Sequence, residues 1–192
     1  MRYQARLYTR AFEGQTPRLG QRVFIDPSAV VIGDVELGDD SSIWPQTTVR
    51  GDMHRIRIGQ RCSIQDNSVL HITHAGPFNP DGYPLTIGDD VTVAHSVTLH
   101  GCEIGNRVLI GMGSIVMDGA VIEDDVVVGA NSLVPPGKRL ASGHLYVGSP
   151  AKAVRPLNDK EYDYFCYSSA NYRKLKDRHI AELERDSPGV DQ

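Results

Sequence analysis

Three of the seven histidines in this 192-residue chain stand where their neighbours give no reason for them. His71 closes the segment IQDNSVLH (64–71), and His95 and His100 sit in AHSVTLHGC (94–102), among valines, threonines and leucines that read as strand. At neutral pH imidazole suits metal ligation through an unprotonated ring nitrogen, and also proton transfer as a general base. Four further polar residues lie close in sequence: Arg50 and Asp52 in VRGD (49–52), and Gln65 and Asp66 in IQDN. Which chemistry they can share depends on the elements that carry them.

Those elements form an internal repeat. Written in blocks of six, residues 17 to 137 run PRLGQR VFIDPS AVVIGD, VELGDD SSIWPQ TTVRGD, IRIGQR CSIQDN SVLHIT, LTIGDD VTVAHS VTLHG, CEIGNR VLIGMG SIVMDG, AVIEDD VVVGAN SLVPPG, with two breaks and one block a residue short. The third position of every block is aliphatic, from Leu19 and Ile25 to Val128 and Val134, and the first is small or apolar after Pro17. Positions one and three of a strand point to the same side, so these two build an interior while positions two and four face out. Three blocks per turn describe a three-sided prism of short parallel strands, each turn stacked on the last. It is an all-β solenoid, stable only when several turns stack and the ends are capped.

In this register His71 and His100 both occupy position four of the third face on successive turns. Adjacent strands lie about 4.7–4.9 Å apart, close enough for two imidazoles in one column to turn nitrogens toward one ion at about 2.0–2.1 Å. The column runs Ile32, Arg50, His71, His100, Met117, Pro135. His95 lies at position five of the second face, up to about 16 Å of extended chain from His100. Either it is unrelated to the pair, or the His100 column of one chain meets the His95 corner of another, as in a cyclic trimer whose heterologous interface closes. Asp66 is directly beneath His95 in that corner column, with Gln65 adjacent. The plainer readings are a harmless histidine ladder, a surface ion pair between Arg50 and Asp52, and turn chemistry for Gln65 and Asp66. His54, His74, His144 and His179 read as solvated or hydrogen-bonded surface residues.

Two insertions interrupt the repeat, MHR (53–55) and HAGPFNPDGYP (74–84). They are expected to bulge at corners, where loops often line a site. The β-helix domain is expected over 1–157, with a weaker seventh turn in KRLASG and HLYVGSP and a linker AKAVRP. A C-terminal helix is expected over 158–186, opened by Asn158 and Glu161 at capping-box spacing, with a possible break at Ser168 and Ser169. Phe165, Tyr172, Leu175 and Ile180 would form its apolar face, and 187–192 a frayed tail. The net charge of −4 and the absence of a basic run argue against nucleic acid or an anionic membrane as partner. No run approaches the roughly 18 apolar residues of a membrane span, and MRYQARLYTR lacks the apolar centre of a signal peptide, so a cytoplasmic location is expected. Cys62, Cys102 and Cys166 form no CxxC pair and read as free thiols.

VRGD, IQDNSVLH and AHSVTLHGC together resemble the gamma-class carbonic anhydrase family, and the resemblance covers nearly the whole chain, including GSPAKAVRPL and the C-terminal helix. It implies a left-handed parallel β-helix of about six to seven turns with the helix packed outside; the left hand comes from the resemblance, since parallel crossovers ordinarily favour the other. It also implies a homotrimer with metal at its interfaces, bound by His71 and His100 of one subunit and His95 of the next. The family's interface Arg and Asp match Arg50 and Asp52. Its Gln and Asp beside the metal-bound solvent match Gln65 and Asp66, and Tyr172 matches a tyrosine borne on the helix. Zn²⁺ is the default ion for three imidazoles, and Fe²⁺ or Co²⁺ suit the same ligands. The implied reaction is hydration of CO₂ to bicarbonate by hydroxide generated on the metal, with Gln65 orienting it. The chain departs from the family at Met53 and in the 74–84 loop, which offers only Asp81 where shuttling carboxylates stand, and Ser63 replaces an asparagine. A hexapeptide acyltransferase using one histidine as base, a metal-dependent thioester hydrolase, and a catalytically weak metal-binding trimer are the other readings of the same residues.

Overall fold

The computed structural model describes residues 3–186, so the expected tail at 187–192 lies outside the described residues. The chain forms a parallel β-solenoid with one helix on its outside. Successive turns pair in the register the blocks require: Ile25 opposite Ile43, Ile43 opposite Ile64, Val93 opposite Ile110. The third-position residues stack into a continuous apolar core that is almost wholly buried apart from Leu19, which is partly so. Serine and threonine at position one sit equally deep and are satisfied by carbonyls of the neighbouring turn: Ser41 donates to Gly59 O at 2.8 Å, Thr47 to Gln65 O at 2.8 Å and Ser68 to Ala94 O at 3.1 Å. Small hydroxyls can therefore replace aliphatics in the column without leaving a buried polar group unpaired.

The helix lies on the second face, an eight-stranded sheet that includes Phe24–Ile25, Ser42–Ile43, Ser63–Ile64 and Thr92–Val93. The other two faces belong to one sheet, because Val30–Leu37 and Thr48–Ile58 run unbroken around the corner between them. The 53–55 insertion is thus part of a long strand, accommodated by a register shift against Gly33 to Val35. The solenoid runs to about eight turns, more than the six to seven expected. Both ends explain the difference. Thr9–Arg10 pairs with Val31 and Ile32 ahead of the first regular block. At the far end AKAVRP is not a linker: Lys152–Pro156 turns back as a strand antiparallel to His144–Val147 and closes the stack.

The helix, Asp159–Asp186, is unbroken. Its capping box is formed, with Glu161 N–H donating to Asn158 Oδ1 at 3.2 Å and Asn158 N–H to Glu161 Oε2 at 2.9 Å. Ser168 and Ser169 mark no break, because they face the prism: Ser168 bonds the Thr92 hydroxyl at 2.8 Å and Ser169 donates to Asp90 at 2.8 Å. The buried stripe is more polar than Phe165, Tyr172, Leu175 and Ile180 imply. Phe165 is buried as expected, Tyr172, Leu175 and Ile180 are only partly so, and Lys176 is fully buried. Lys176 Nζ lies 3.1 Å from Asp40 and 2.6 Å from Asp177, and Asp40 in turn pairs with Arg22. Removing Lys176 leaves the largely buried Asp40 carboxylate with only the exposed Arg22 as its ionic partner. Lys176→Ala is expected to cost about 3 kcal/mol of stability, read as a lower denaturant midpoint at unchanged slope.

Candidate metal centre

His71 ends the strand Val69–His71 and His100 ends Thr98–His100, and the two strands pair with His71 directly opposite His100. Alternation puts Leu70 and Leu99 inward, so both rings stand on the outer surface of the third face. His71 Nδ1 is 3.2 Å from His100 Nε2, with ring centroids 5.2 Å apart and planes at 56°. The remaining nitrogens face carboxylates: His71 Nε2 is 3.1 Å from Asp52 Oδ1 and His100 Nδ1 is 2.7 Å from Asp118 Oδ1.

Ionised carboxylates only accept, so the ring hydrogens belong on His71 Nε2 and His100 Nδ1. With neutral rings, the two nitrogens that face each other are then both bare lone pairs. Such a pair is unfavourable unless a proton or a cation lies between them. Two nitrogens held at 2.0–2.1 Å by a tetrahedral ion stand about 3.3–3.4 Å apart, close to the 3.2 Å seen here. The donor set therefore fits zinc, and the carboxylates behind the rings are the partners that orient metal-bound histidines.

The electrostatics favour the ligating state of His71. Burial lowers its pKa, and the nearby Arg50 charge adds to that, against the opposing bond to Asp52. Burial of Asp52 works to raise its pKa, but bonds from Arg50 and His71 outweigh it and hold the carboxyl below its ordinary range. Arg50 donates directly to Asp52 Oδ2.

His95 stands apart from this pair. Its Nδ1 bonds Asp66 Oδ2 at 2.8 Å, and its side chain is 47% exposed against 12% for His71. Beside it Gln65 is buried under the helix, and the Tyr172 ring on that helix meets Trp44 edge-on at 5.9 Å. Burial raises the pKa of Tyr172. The structure thus gathers Arg50, Asp52, His71 and His100 on the third face, and Gln65, Asp66, His95 and Tyr172 around the corner of the second. Among the described residues no three His, Cys, Asp or Glu side chains of one chain converge to hold an ion. The positions that depart from the resembled family have other employment here. Ser63 accepts the Trp44 indole N–H at 2.9 Å, Met53 is exposed, and the carbonyl of Asp81 meets His54 Nε2 at 3.2 Å.

The remaining histidines are largely as expected. His54 and His144 have hydrogen bonds at the surface and His74 is exposed, while His179 also meets Trp44 edge-on at 5.2 Å. The three cysteines are free thiols, Cys62 and Cys102 in the core and Cys166 exposed. No helix among the described residues is long and apolar enough to cross a membrane.

Asp118 is the residue that sequence reasoning missed. It occupies position five of SIVMDG, one turn beyond His100, and is the one carboxylate in that column of the third face. That column was the available signal.

Comparison with known proteins places the fold. The model of the family "Bacterial transferase hexapeptide (six repeats)" matches residues 16–51 and 101–136. Protein YrdA of Escherichia coli K12 is 58% identical over 179 residues, 93% of this chain and 97% of its own. Gamma carbonic anhydrase 2, mitochondrial, of Arabidopsis thaliana is 40% identical over 88% of this chain, which spans 60% of the plant protein. The crystal structure of a putative acetyltransferase from Bacillus cereus superposes with a TM-score of 0.84 at 36% identity, over 91% of this chain and 98% of that one. With the repeat, the register and these relatives together, the chain belongs to the hexapeptide-repeat superfamily, as a member of the kind that includes the gamma carbonic anhydrases.

Proposed function

We propose that the protein is a metal-dependent carbonic anhydrase that hydrates CO₂ to bicarbonate at the interfaces of a homotrimer. The observation that carries this reading is the His71–His100 pair: two ring nitrogens that face each other 3.2 Å apart, each ring held from behind by a carboxylate. His95 of a neighbouring subunit would supply the third ligand. A Zn²⁺ ion held by these three histidines would acidify water and so supply hydroxide at neutral pH, and Co²⁺ or Fe²⁺ would accept the same ligands. Arg50 holds Asp52, which holds His71. Asp66 holds His95. Gln65, close to His95 and beneath the helix that carries Tyr172, would orient the attacking oxygen by hydrogen bonding through its amide.

The trimer is supported by two columns that match in polarity at every level but one. The second-face corner carries Pro27, Pro45, Asp66, His95, Met112 and Ala130, and the third face carries Ile32, Arg50, His71, His100, Met117 and Pro135, the exception being Pro45 opposite Arg50. Val69, Met112, Ile115 and Met117 are exposed around the histidines. An apolar surface with a polar band at its centre is what an interface enclosing a metal site requires.

A second reading, acyl transfer, has one specific observation in its favour: His95 and Asp66 form a dyad that can act as a base, on a fold shared with a structure named a putative acetyltransferase. Stopped-flow CO₂ hydration on zinc-loaded protein separates the two. Catalysis well above the buffer rate, at about one metal per subunit, is expected. A fully loaded trimer no faster than buffer would overturn the carbonic anhydrase assignment.

A further inference from the structure

His100 is a partly exposed ring at the end of a three-residue strand, and an imidazole in that situation samples several rotamers unless something holds it. Its restraint comes from outside the segments that carry the family resemblance. Asp118 Oδ1 accepts from His100 Nδ1 at 2.7 Å, and its other oxygen accepts the Thr73 hydroxyl at 3.1 Å. Thr73 is itself pinned, pairing both backbone groups with Tyr83 at 3.1 and 2.8 Å across the neck of the 74–84 loop. Between them Gly101 leaves the space through which the carboxylate reaches. A Cβ there would lie 2.4 Å from Asp118 Oδ1 and 2.6 Å from Tyr83 Cβ, at a φ of +53°. Asp118 thus meets the ring nitrogen directly, and Thr73, Tyr83 and Gly101 hold the carboxylate in place.

We propose that Asp118 is a positioning residue of the metal centre: by accepting the Nδ1 hydrogen of His100 it selects the tautomer and rotamer that present a bare Nε2 to the ion. This rests on the reading of His71 and His100 as ligands. Asp118 does for His100 what Asp52 does for His71, with Thr73 in the place that Arg50 takes beside Asp52. Removing the partner behind a ligating histidine typically costs about 10–100-fold in metal affinity, because the wrong tautomer blocks the lone pair and the freed ring must be ordered again.

The test uses the full-length protein and variants Asp118→Ala and Asp118→Asn, whose side chain is on the surface. Histidine ¹⁵N NMR on metal-free protein, at a pH where the rings are neutral, reads the tautomer, and Co²⁺ titration against a chelator reads affinity. In the unaltered protein the His100 hydrogen is expected on Nδ1. Asp118→Ala loses that preference and about 10–100-fold in Co²⁺ affinity, with elution volume and melting temperature retained. Asp118→Asn, whose amide oxygen still accepts, keeps the tautomer and recovers part of the affinity. The proposal is overturned if Asp118→Ala keeps the Nδ1 hydrogen, or if it binds Co²⁺ as tightly as the unaltered chain. Should the unaltered protein bind no Co²⁺, the ligand reading falls and this proposal with it; an unbiased tautomer in unaltered protein that does bind Co²⁺ overturns the role of Asp118 alone.

Discussion

Protein carrying His100→Ala is expected to purify without stoichiometric divalent metal and to hydrate CO₂ no faster than buffer, while remaining folded and trimeric. The ring stands outside the core, and the adjacent Leu99 keeps the inner column filled, so little packing is lost with it. What disappears is one of only two nitrogens that a single chain brings together. His71 alone cannot chelate, and affinity should fall by more than the roughly 100-fold at the upper end for losing a residue that merely supports a ligand. Elemental analysis after exhaustive dialysis and a stopped-flow assay measure the two halves of the prediction. His54→Ala makes a useful contrast, because His54 bonds the loop carbonyl of Asp81 and not the histidine pair. It should retain metal. CO₂ hydration persisting at the unaltered rate in metal-free His100→Ala would separate the reaction from the metal altogether.

The pairing of His71 with His100 is legible in the amino-acid sequence, because a six-residue period with three blocks per turn converts sequence position into spatial column. The same arithmetic places Gln65 and Asp66 near His95 and separates all three from the pair. It fails where the period fails. Asp118 reaches His100 across the space that Gly101, in a left-handed conformation, leaves open, and neither the side chain's reach nor the gap it uses is a matter of period. The final strand Lys152–Pro156 likewise escapes the repeat, since it runs against the stack and its composition resembles a linker. On the helix, hydrophobic periodicity points to Phe165, Tyr172, Leu175 and Ile180, yet the deepest side chain is Lys176. A lysine is read as solvent-facing unless its carboxylate partners are known, and Asp40 is distant in sequence. Local pattern therefore reveals the scaffold and the ligand column, while long-range polar partners emerge only from the folded chain.

If each site is built from His71 and His100 of one subunit and His95 of the next, inactive variants should complement one another. His95→Ala and His100→Ala trimers are each expected to lack every site, since each interface in them misses one ligand. Unfolding the two together and refolding at equal concentration gives mixed trimers. In a cyclic trimer each mixed composition contains one interface where a His100→Ala chain donates its intact His95 to a His95→Ala chain with intact His71 and His100. Random assembly restores about a quarter of the interfaces, so activity and bound metal should both return to about 25% of the unaltered value. The unmixed variants, refolded separately and then combined without exchange, provide the baseline. Proportionality between metal and activity matters as much as the fraction. Recovery of both ties catalysis to an ion shared between chains, whereas recovery of neither, in trimers shown by mass to be mixed, would mean that His95 serves its own chain. The five residues between His95 and His100 would then reflect two unrelated sites, with the His95–Asp66 dyad as a base in its own right.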